Sequence, residues 1–350
     1  MHQAGSGERM DIHITNTIQD TDEREWESLV GTDTIEQSYG WFRTVEDSGM
    51  RKMHYVFLKE GETLTAAACC NNYTKKLFHM TLPFLAVGSP LGSSRAFFSK
   101  TREETDMLLK GLAHIQSREK TKGLLILDLK REEFDIVKNQ VTGFTKFPLL
   151  EDTYIDLKYT DFEDYLSSLS AKARRSVRIT LNKAQKRLLK PFVTDDLSTW
   201  GHVAHKLQGY TCRYHSDFWT HLNEQFYYAL ETHLKDKVEL LLFFKDDIPL
   251  ASALVLNTPD AAQYKFPGIN PQYREYHAYF LLYYEGIKRA IERGQKRIYF
   301  GSTTYDFKEK IGCTREEYFG LVKMKNPVVN VGLRSYMDIS YLFRKTPQTP

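Results

Sequence analysis

The most concentrated chemistry in the sequence is a run of positive charge between residues 171 and 190. The segment contains no acidic residue and eight basic ones, namely Lys172, Arg174, Arg175, Arg178, Lys183, Lys186, Arg187 and Lys190. Because the whole chain carries a formal charge of +3, these eight charges leave the remainder at −5. Like charges at this density repel one another on a helix unless anions or distant carboxylates neutralise them. The segment is therefore either a solvated helix face or a site for the phosphates of a substrate or an RNA.

Apolar spacing in the same segment predicts a helix that buries one side. At about 100° per residue, one stripe is formed by Val177, Leu181, Ala184 and Leu188. The opposite side carries Lys172, Arg175, Lys183, Lys186 and Lys190. Arg174 and Arg178 flank the apolar stripe, and we expect these two side chains to reach inward toward a bound anion.

The histidines and cysteines do not have the spacing of a metal site. His202 and His205 are three residues apart on a predicted helix, without convergent carboxylate or cysteine partners. The four cysteines include the adjacent pair Cys69 and Cys70, whose geometry disfavours a mutual disulfide, and no C-x-x-C motif occurs. We expect no metal, no other cofactor and a reduced protein.

Composition favours a folded chain of two domains. The 350 residues are 41% hydrophobic and 27% charged, which excludes a disordered, collagen-like or membrane-embedded chain. The apolar run at residues 240–244 is far too short to span a bilayer, and residues 1–30 have no apolar core of a signal peptide. Residues 1–10 resemble a flexible leader. We expect a cytoplasmic protein of unknown oligomeric state.

Periodicity and turn signals predict an α/β unit in the first half of the chain. The predicted helices cover residues 21–29, 39–48, 102–120 and 131–138, and the predicted strands cover 53–59, 63–71, 75–80 and 123–128. A loop rich in glycine, proline and serine follows at 88–94.

The second half repeats this order of hairpin, long helix and strand. Its predicted strands cover residues 154–157, 238–245, 250–257, 261–266, 297–300 and 317–325. Its predicted helices cover residues 161–169, 171–189, 197–208, 217–234 and 278–293, the last ended by Gly294. We expect mixed sheets flanked by helices in two α/β domains, at 11–150 and 151–330, and a frayed tail at 331–350.

Several motifs in the second half resemble those of the Fem-type peptidoglycan aminoacyltransferases. The similarity comprises Ser170-Ala171-Lys172-Ala173-Arg174-Arg175-Ser176-Val177-Arg178, Tyr264-Lys265-Phe266-Pro267-Gly268, Ile298-Tyr299-Phe300-Gly301 and Phe307-Lys308-Glu309-Lys310-Ile311-Gly312. It covers residues 151–325, and in the first half it is limited to Gln37-Ser38-Tyr39-Gly40-Trp41. Two features depart from the family: the charged helix leads directly into Phe192 without a coiled-coil arm, and Gly301-Ser302 replaces a paired glycine.

The resemblance implies two tandem domains of the GCN5-related N-acetyltransferase (GNAT) type with a cleft between them. Fem proteins move an amino acid from aminoacyl-tRNA to an amine of a peptidoglycan precursor, and relatives in natural-product pathways, including antibiotic biosynthesis, acylate small amines or hydroxylamines. The two departures place the lipid-linked peptidoglycan acceptor in question.

The matched positions supply candidate site residues. Lys308 is expected at the cleft, where its ammonium could bind a phosphate or stabilise an oxyanion. Asp306 could accept the amine proton or merely pair with Lys308, and Tyr279 could protonate a leaving group or only pack. Candidate substrate-binding residues are Trp41, Tyr264, Lys265, Gly268 and Tyr305, and candidate donor-phosphate ligands are Lys172, Arg174, Arg175, Arg178 and Lys308. A nucleophilic Cys313 is the covalent alternative.

The donor is expected to be aminoacyl-tRNA and not coenzyme A. Acetyltransferases of this type hold a pyrophosphate on the backbone of a glycine-rich turn at a helix N-terminus. Here the turn after Gly268 continues into Glu275-Tyr276-His277-Ala278-Tyr279, which has no glycine and contains an acidic residue. Side-chain binding of coenzyme A by Arg274 or His277 is the alternative. The other candidate functions are a peptidoglycan-precursor aminoacyltransferase and a non-catalytic RNA- or nucleotide-binding module.

Overall fold

A computed structural model describes residues 10–77, 80–216 and 219–344 of the chain. Numbered in chain order, the strands are β1 (Met10–Thr15), β2 (Met53–Glu60), β3 (Thr63–Leu77), β4 (Met80–Val87), β5 (Phe97–Phe98), β6 (Gly123–Lys130), β7 (Thr145–Pro148), β8 (Asp152–Asp156), β9 (Lys190–Thr194), β10 (Val238–Lys245), β11 (Ile248–Asn257), β12 (Ala261–Ile269), β13 (Arg297–Tyr299), β14 (Thr314–Glu316) and β15 (Tyr318–Met324).

The helices alternate with these strands. They are α1 (Glu23–Val30), α2 (Tyr39–Asp47), α3 (Arg102–Arg118), α4 (Arg131–Gln140), α5 (Phe162–Ser168), α6 (Ala171–Lys186), α7 (Leu197–His215), α8 (Glu224–Leu234), α9 (Ala278–Glu292), α10 (Tyr305–Lys310) and α11 (Pro327–Arg344). Two 3-10 helices matter for the site, at Ile35–Gln37 and Pro271–Tyr276. Within the described residues, none of the helices has the length and hydropathy needed to cross a membrane.

The first compact unit contains a mixed sheet with the strand order β1-β2-β3-β4-β6-β15-β7 and with β5 paired to β3. Strands β4 and β6 run parallel and are connected through α3. That helix begins with a capping box, in which the Thr101 side chain and Glu104 satisfy backbone N–H groups reciprocally. Its apolar face, including Leu108 and Leu112, packs on sheet residues such as Val56 to form the core.

The second compact unit contains a mixed sheet with the order β14-β8-β13-β12-β11-β10-β9. Here β12 and β13 are the parallel neighbours, and α9 connects them. Leu281, Ile287 and Ala290 place one face of α9 in the core of this unit. The helix is followed by Gly294 at φ +70°, a left-handed conformation that favours glycine at helix ends. The prediction of two mixed sheets flanked by helices is confirmed.

Two segments lie in a different unit from their sequence neighbours. The units comprise residues 1–31, 51–149 and 317–350, and residues 32–50 and 150–316. Strand β15, expected in the second domain, pairs with β6 and β7 of the first unit. Helix α2 packs on α8 of the second unit, where Trp41 and Phe226 make an edge-to-face contact with ring centroids 5.6 Å apart. The domain bounds 11–150 and 151–330 remain a prediction.

Several predicted elements have different bounds in the structure. The strand expected at 75–80 is divided between two strands, since residues 75–77 continue β3, Met80 begins β4, and residues 78–79 lie outside the described residues. Helix α7 continues to His215, beyond the predicted end at 208. The helix predicted at 217–234 begins only at Glu224, and residues 217–218 lie outside the described residues. The frayed tail predicted from residue 331 is helical as far as Arg344.

Candidate active site

Helix α6 presents an unpaired basic face. Ser170 caps its N-terminus by accepting a hydrogen bond from the Ala173 N–H at 3.3 Å. Val177 and Ala184 are buried against the second unit, as the periodicity predicted. The exposed basic side chains are Lys172, Arg175, Lys183 and Lys186 on the other side of the helix, and Lys190 at the start of β9. Within the described part of the chain, none of these five forms an ion pair. We call these five residues the basic face.

Arg174 and Arg178 contact residues of the protein itself, and their expected role as phosphate ligands stays a prediction. The Arg174 guanidinium donates to the backbone oxygens of Ser167 at 3.1 Å and Leu169 at 3.4 Å, at the C-terminal end of α5. Arg178 pairs with Glu163 at 2.7 Å. Both side chains therefore connect α6 to α5.

The predicted apolar stripe of α6 fails at its last position. Leu188 is 76% exposed, whereas Leu189 is buried. The helix ends at Lys186 and Leu188 has φ +58°, so the 100° periodicity does not extend to it.

The C-terminal end of α6 contacts the Pro271–Tyr276 turn. The Arg187 guanidinium donates a hydrogen bond to the Glu275 backbone oxygen and lies 4.9 Å from the centroid of the Tyr276 ring. A cation over an aromatic face is attracted by the ring quadrupole. The turn and the basic face therefore belong to one continuous part of the second unit.

A pocket of about 200 Å³ lies beside this turn, between the end of β12 and the start of α9. Its lining comprises Leu250, Ile269, Asn270, Tyr273, Arg274, His277, Ala278, Tyr279 and Phe280. His277 occupies the N-cap position of α9 at φ +57° and makes no side-chain capping hydrogen bond. Arg274 and His277 both line the pocket, so it offers cationic and aromatic side chains in place of a glycine-rich backbone.

Tyr279 connects this pocket to the interior of the second unit. Its hydroxyl lies 2.7 Å from the Tyr283 hydroxyl, one turn further along α9. Burial together with the Tyr279 interaction holds the pKa of Tyr283 well above its ordinary value. A second cavity of about 20 Å³, lined by Tyr264, Tyr283 and Phe300 among others, lies on the inner side. The hydrogen-bonded hydroxyls of Tyr279 and Tyr283 therefore stay protonated beside the pocket.

Lys308 is buried and does not present its ammonium to solvent. Only 1% of the residue is exposed, and Nζ donates to the carbonyl oxygens of Phe300 at 2.8 Å and Gly301 at 2.7 Å. Burial lowers the pKa of Lys308 to about 8, and the charge of Asp152 opposes this shift. Asp152 is itself buried, and desolvation raises its pKa. This geometry makes Lys308 a positioning residue for the segment that follows β13.

The neighbours of Lys308 on α10 differ in their surroundings. Asp306 is exposed in the first turn, and no ion pair joins it to Lys308 or to another described residue. The alternative in which Asp306 only pairs with Lys308 is therefore wrong. The Tyr305 hydroxyl donates to the Glu151 backbone oxygen at 2.9 Å, and the Arg315 guanidinium lies 4.3 Å from its ring centroid.

Lys265 forms a buried ion pair with Glu36. Lys265 Nζ contacts a carboxylate oxygen of Glu36, whose side chain is fully buried in the Ile35–Gln37 turn. Burial dominates the pKa of Asp152, while the Lys265 ammonium lowers that pKa and the Glu36 carboxylate raises it. The buried carboxylates of Glu36 and Asp152 thus interact electrostatically with two ammonium groups in the second unit. These are the half-buried ammonium of Lys265 and the buried ammonium of Lys308.

The other predicted substrate-binding residues have structural surroundings. Trp41 is fully buried, and Tyr264 is buried with its ring against Gly286. Gly268 faces the backbone of α7, where an added Cβ would lie 2.4 Å from the Gln208 nitrogen. The structure therefore does not bring these residues together with Tyr279 as one exposed substrate surface.

In the first unit, the parallel strands β4 and β6 diverge at one end. Pairing between β4 and β6 ends at Val87 and Ile126. Just beyond it, Asp128 has φ +59°, an uncommon conformation for a residue other than glycine. A Cβ added at Gly88 would lie 3.3 Å from an Asp128 carboxylate oxygen. The carboxylate is thus directed over the end of β4.

The sequence analysis did not identify four residues of the buried polar clusters described above, namely Glu36, Asp152, Asp128 and Tyr283. Tyr283 had a usable signal, since it lies four residues after Tyr279 on a predicted helix and so shares its face. The three carboxylates had no such signal in the sequence, because their partners are distant in sequence.

All four cysteines are buried and unbridged, and burial raises the pKa of Cys313 to about 12, which disfavours a nucleophilic thiolate. No cluster of metal-ligating side chains occurs among the described residues.

A family model described as peptidoglycan biosynthesis/recognition, FemAB-like, matches residues 54–339. The chain belongs to the FemAB-like family, a class of acyltransferase-like proteins, and the resemblance seen in the motifs is confirmed. No curated protein matches the chain in sequence.

Solved structures support the tandem GNAT architecture. A crystal structure of FemX superposes with a TM-score of 0.61 at 14% identity, covering 93% of this chain and 100% of FemX. A tandem GNAT protein from the clavulanic acid biosynthesis pathway superposes at 0.58 and 10% identity, covering 91% and 99%. The C-terminal domain of a putative lysylphosphatidylglycerol synthetase from Agrobacterium fabrum superposes at 0.55 and 13% identity, covering 89% and 94%. At these identities the similarity shows a shared fold of two GNAT-like domains.

Proposed function

We propose that this chain is a cytoplasmic aminoacyltransferase that moves an amino acid from aminoacyl-tRNA to the amine or hydroxylamine of a small acceptor in natural-product biosynthesis. The observation that carries the proposal is the basic face of α6, whose five side chains have no ion pair among the described residues. Unneutralised charge of one sign costs helix stability, and a polyanion removes that cost. Membership of the FemAB-like family supports a transferase that uses a charged-tRNA donor.

The position of the basic face supports a large anion over a single pyrophosphate. Five charges spread over α6 and the following strand suit the repeated phosphates of an RNA stem. Arg187 connects this helix to the turn beside the 200 Å³ pocket. A donor that binds the basic face can therefore extend its reactive end toward Tyr279.

The chemistry proposed for the pocket is direct acyl transfer. The neutral acceptor amine attacks the ester carbonyl of the donor, the bond to the ribose oxygen breaks, and one proton must pass from the amine to that oxygen. Tyr279 is proposed as the proton donor to the leaving oxygen, since its hydroxyl is paired with Tyr283 and lines the pocket. Asp306, exposed on α10, is proposed to accept the amine proton. Lys308 positions the segment from Phe300 to Thr304 for this step.

Two other transferase functions have specific support. The match to a peptidoglycan biosynthesis family model and to FemX supports a peptidoglycan precursor as the acceptor equally well. A coenzyme A donor is supported by Arg274 and His277, which line the pocket at the start of α9. The tandem GNAT protein of the clavulanic acid pathway supports the natural-product context only through its fold.

The proposal is tested by incubating the purified chain with a pool of charged tRNA and a panel of small amines, hydroxylamines and a soluble peptidoglycan precursor. Mass spectrometry should show an aminoacylated small amine or hydroxylamine, and ribonuclease treatment of the pool should abolish it. Transfer only to the precursor would move the assignment to the peptidoglycan function. Product formation from acetyl-coenzyme A and none from charged tRNA would overturn the donor, and binding without any product would support a non-catalytic RNA-binding module.

A further inference from the structure

The second unit carries a surface of alternating tyrosine and arginine side chains next to the pocket. It comprises Arg187, Tyr214, Tyr273, Arg274 and Tyr276, which we call the tyrosine–arginine surface. The residues come from the end of α6, the last turn of α7 and the Pro271–Tyr276 turn. None of them belongs to the basic face, and Tyr273 and Tyr276 also pack against the core of the second unit.

Direct contacts join the members of this surface. The Arg274 guanidinium lies 5.2 Å from the centroid of the Tyr214 ring. The Tyr273 and Tyr276 rings are 6.3 Å apart, and Arg187 lies over Tyr276 at 4.9 Å. The packing of each guanidinium against a ring limits the motion of both, so planar groups are held in place in advance of any ligand.

Exposure shows that the surface is available. Tyr214 is 71% exposed although it contacts Arg274 and the edge of His215, whose ring centroid is 5.0 Å away. A tyrosine that only stabilised the fold would bury more of its ring. Tyr214 and the two cations, Arg187 and Arg274, are thus exposed, and the rings of Tyr273 and Tyr276 are half-buried beside them. The single carboxylate on the turn is that of Glu275.

Accessible aromatic rings and guanidinium planes are the groups that stack on unpaired nucleobases, while a duplex offers its bases only at its end. We infer that the tyrosine–arginine surface binds the single-stranded 3′-terminal nucleotides of the RNA donor. This inference rests on the proposed function and deepens it. Charged tRNA carries its amino acid on an unpaired 3′ strand, and Tyr273 and Arg274 line both this surface and the pocket. The stem binds the basic face, the unpaired bases stack on the surface, and the terminal ester enters the pocket.

The experiment compares two RNA hairpins with the same stem, one blunt and one with a short unpaired 3′ tail, by fluorescence anisotropy on the full chain. The wild-type protein should bind the tailed hairpin more tightly. Because stacking of one base contributes a factor of about 5 to 150 in affinity, Tyr214→Ala should lose a factor in this range for the tailed hairpin and leave the blunt hairpin unchanged. Tyr214→Trp should retain the preference for the tail.

Two control variants separate this inference from the proposed function. Tyr228→Ala removes another exposed tyrosine, on α8, and should leave both affinities unchanged. Lys183→Gln on the basic face should weaken both hairpins equally. Equal binding of the two hairpins by the wild type, or an unchanged tail preference in Tyr214→Ala, would contradict base stacking on the tyrosine–arginine surface. Neither result would contradict the proposal of an RNA donor. Failure of the wild type to bind either hairpin would overturn both.

Discussion

The ammonium of Lys308 donates a hydrogen bond of 2.8 Å to the backbone oxygen of Phe300, eight residues earlier in the chain. A second hydrogen bond, to Gly301, lies at 2.7 Å. After these two carbonyls the backbone takes three left-handed conformations within four residues, at Gly301, Thr303 and Thr304. Such conformations cost free energy and persist only when the surroundings hold them. Lys308 supplies part of that support from a buried position.

The first prediction concerns stability and pH at Lys308. Its pKa is about 8 in the folded chain, against an ordinary value of 10.5. Between these values the unfolded chain holds the proton that the folded chain has lost, so the free energy of unfolding should rise with pH across this window, by up to about 3 kcal/mol. Urea unfolding at pH 7.5 and pH 10 measures this. Lys308→Met should lack the rise, and an equal pH dependence in both proteins would contradict the assignment.

The second prediction concerns the buried pair of Glu36 and Lys265. Glu36→Gln or Lys265→Met alone should lower the free energy of unfolding by about 3–5 kcal/mol, because each removes the ion pair of a buried or half-buried partner charge. The double variant should lose less than the sum, by a coupling of about 0.5–3 kcal/mol in a chemical-denaturation cycle. The exposed pair of Lys296 and Asp260 is the matched control, with a coupling below about 1 kcal/mol. Additive losses at Glu36 and Lys265 would show that the pair does not form.

The third prediction uses two glycines in contrasting places. Gly268→Ala should destabilise the protein by about 1–3 kcal/mol or more, since the added Cβ would meet the α7 backbone at 2.4 Å. Gly332→Ala, in helix α11 with nothing within 4 Å, should stabilise it by about 1 kcal/mol. Thermal unfolding of both variants checks this. If Gly268→Ala left the unfolding temperature unchanged, β12 and α7 would be able to move apart without a loss of stability.

The fourth prediction tests the tyrosine pair. If Tyr279 protonates the leaving oxygen, Tyr279→Phe should lower kcat by about 100-fold or more in the transfer assay. Its unfolding midpoint should fall about as much as that of Tyr283→Phe, because both variants break the same hydrogen bond. Tyr283→Phe should reduce kcat less, because Tyr283 acts only through Tyr279, and should cost stability at a buried hydrogen bond of 2.7 Å. A Tyr279→Phe variant with full kcat would remove Tyr279 from the chemistry.

The fifth prediction tests the basic face through salt dependence. Replacing Lys183 and Lys186 with glutamine should flatten the slope of log affinity against log salt by about 0.7–0.9 for each RNA phosphate that the variant no longer neutralises. Arg178→Gln is the control for a positive charge that is not free, since Arg178 is already paired with Glu163 at 2.7 Å. The slope, measured with an RNA hairpin from 50 to 200 mM salt, should change little in that variant. Equal slopes in all three proteins would show that the basic face is a solvated surface and not an RNA-binding site.

Local signals in the sequence predicted many of the helices and strands and the resemblance to the family. The 3.6-residue period and the following glycine predicted α9, and the alternation around Asp246 and Asp247 predicted the hairpin of β10 and β11, because these signals act over a few residues. The charge of α6 was equally visible, since no acidic residue interrupts it.

Tertiary structure alone decided which charges are free and which are bound. Arg178 and Lys183 look alike in sequence, yet only Arg178 has a carboxylate opposite, supplied by α5. Lys308 was expected as an exposed ammonium, and its burial depends on carbonyls at the end of β13 and on Asp152 in β8. The place of β15 beside β6 and β7 likewise depends on pairing across more than 170 residues. Hydrogen bonds, desolvation and ion pairs between distant segments arise only when the chain has folded, so local patterns carry no record of them.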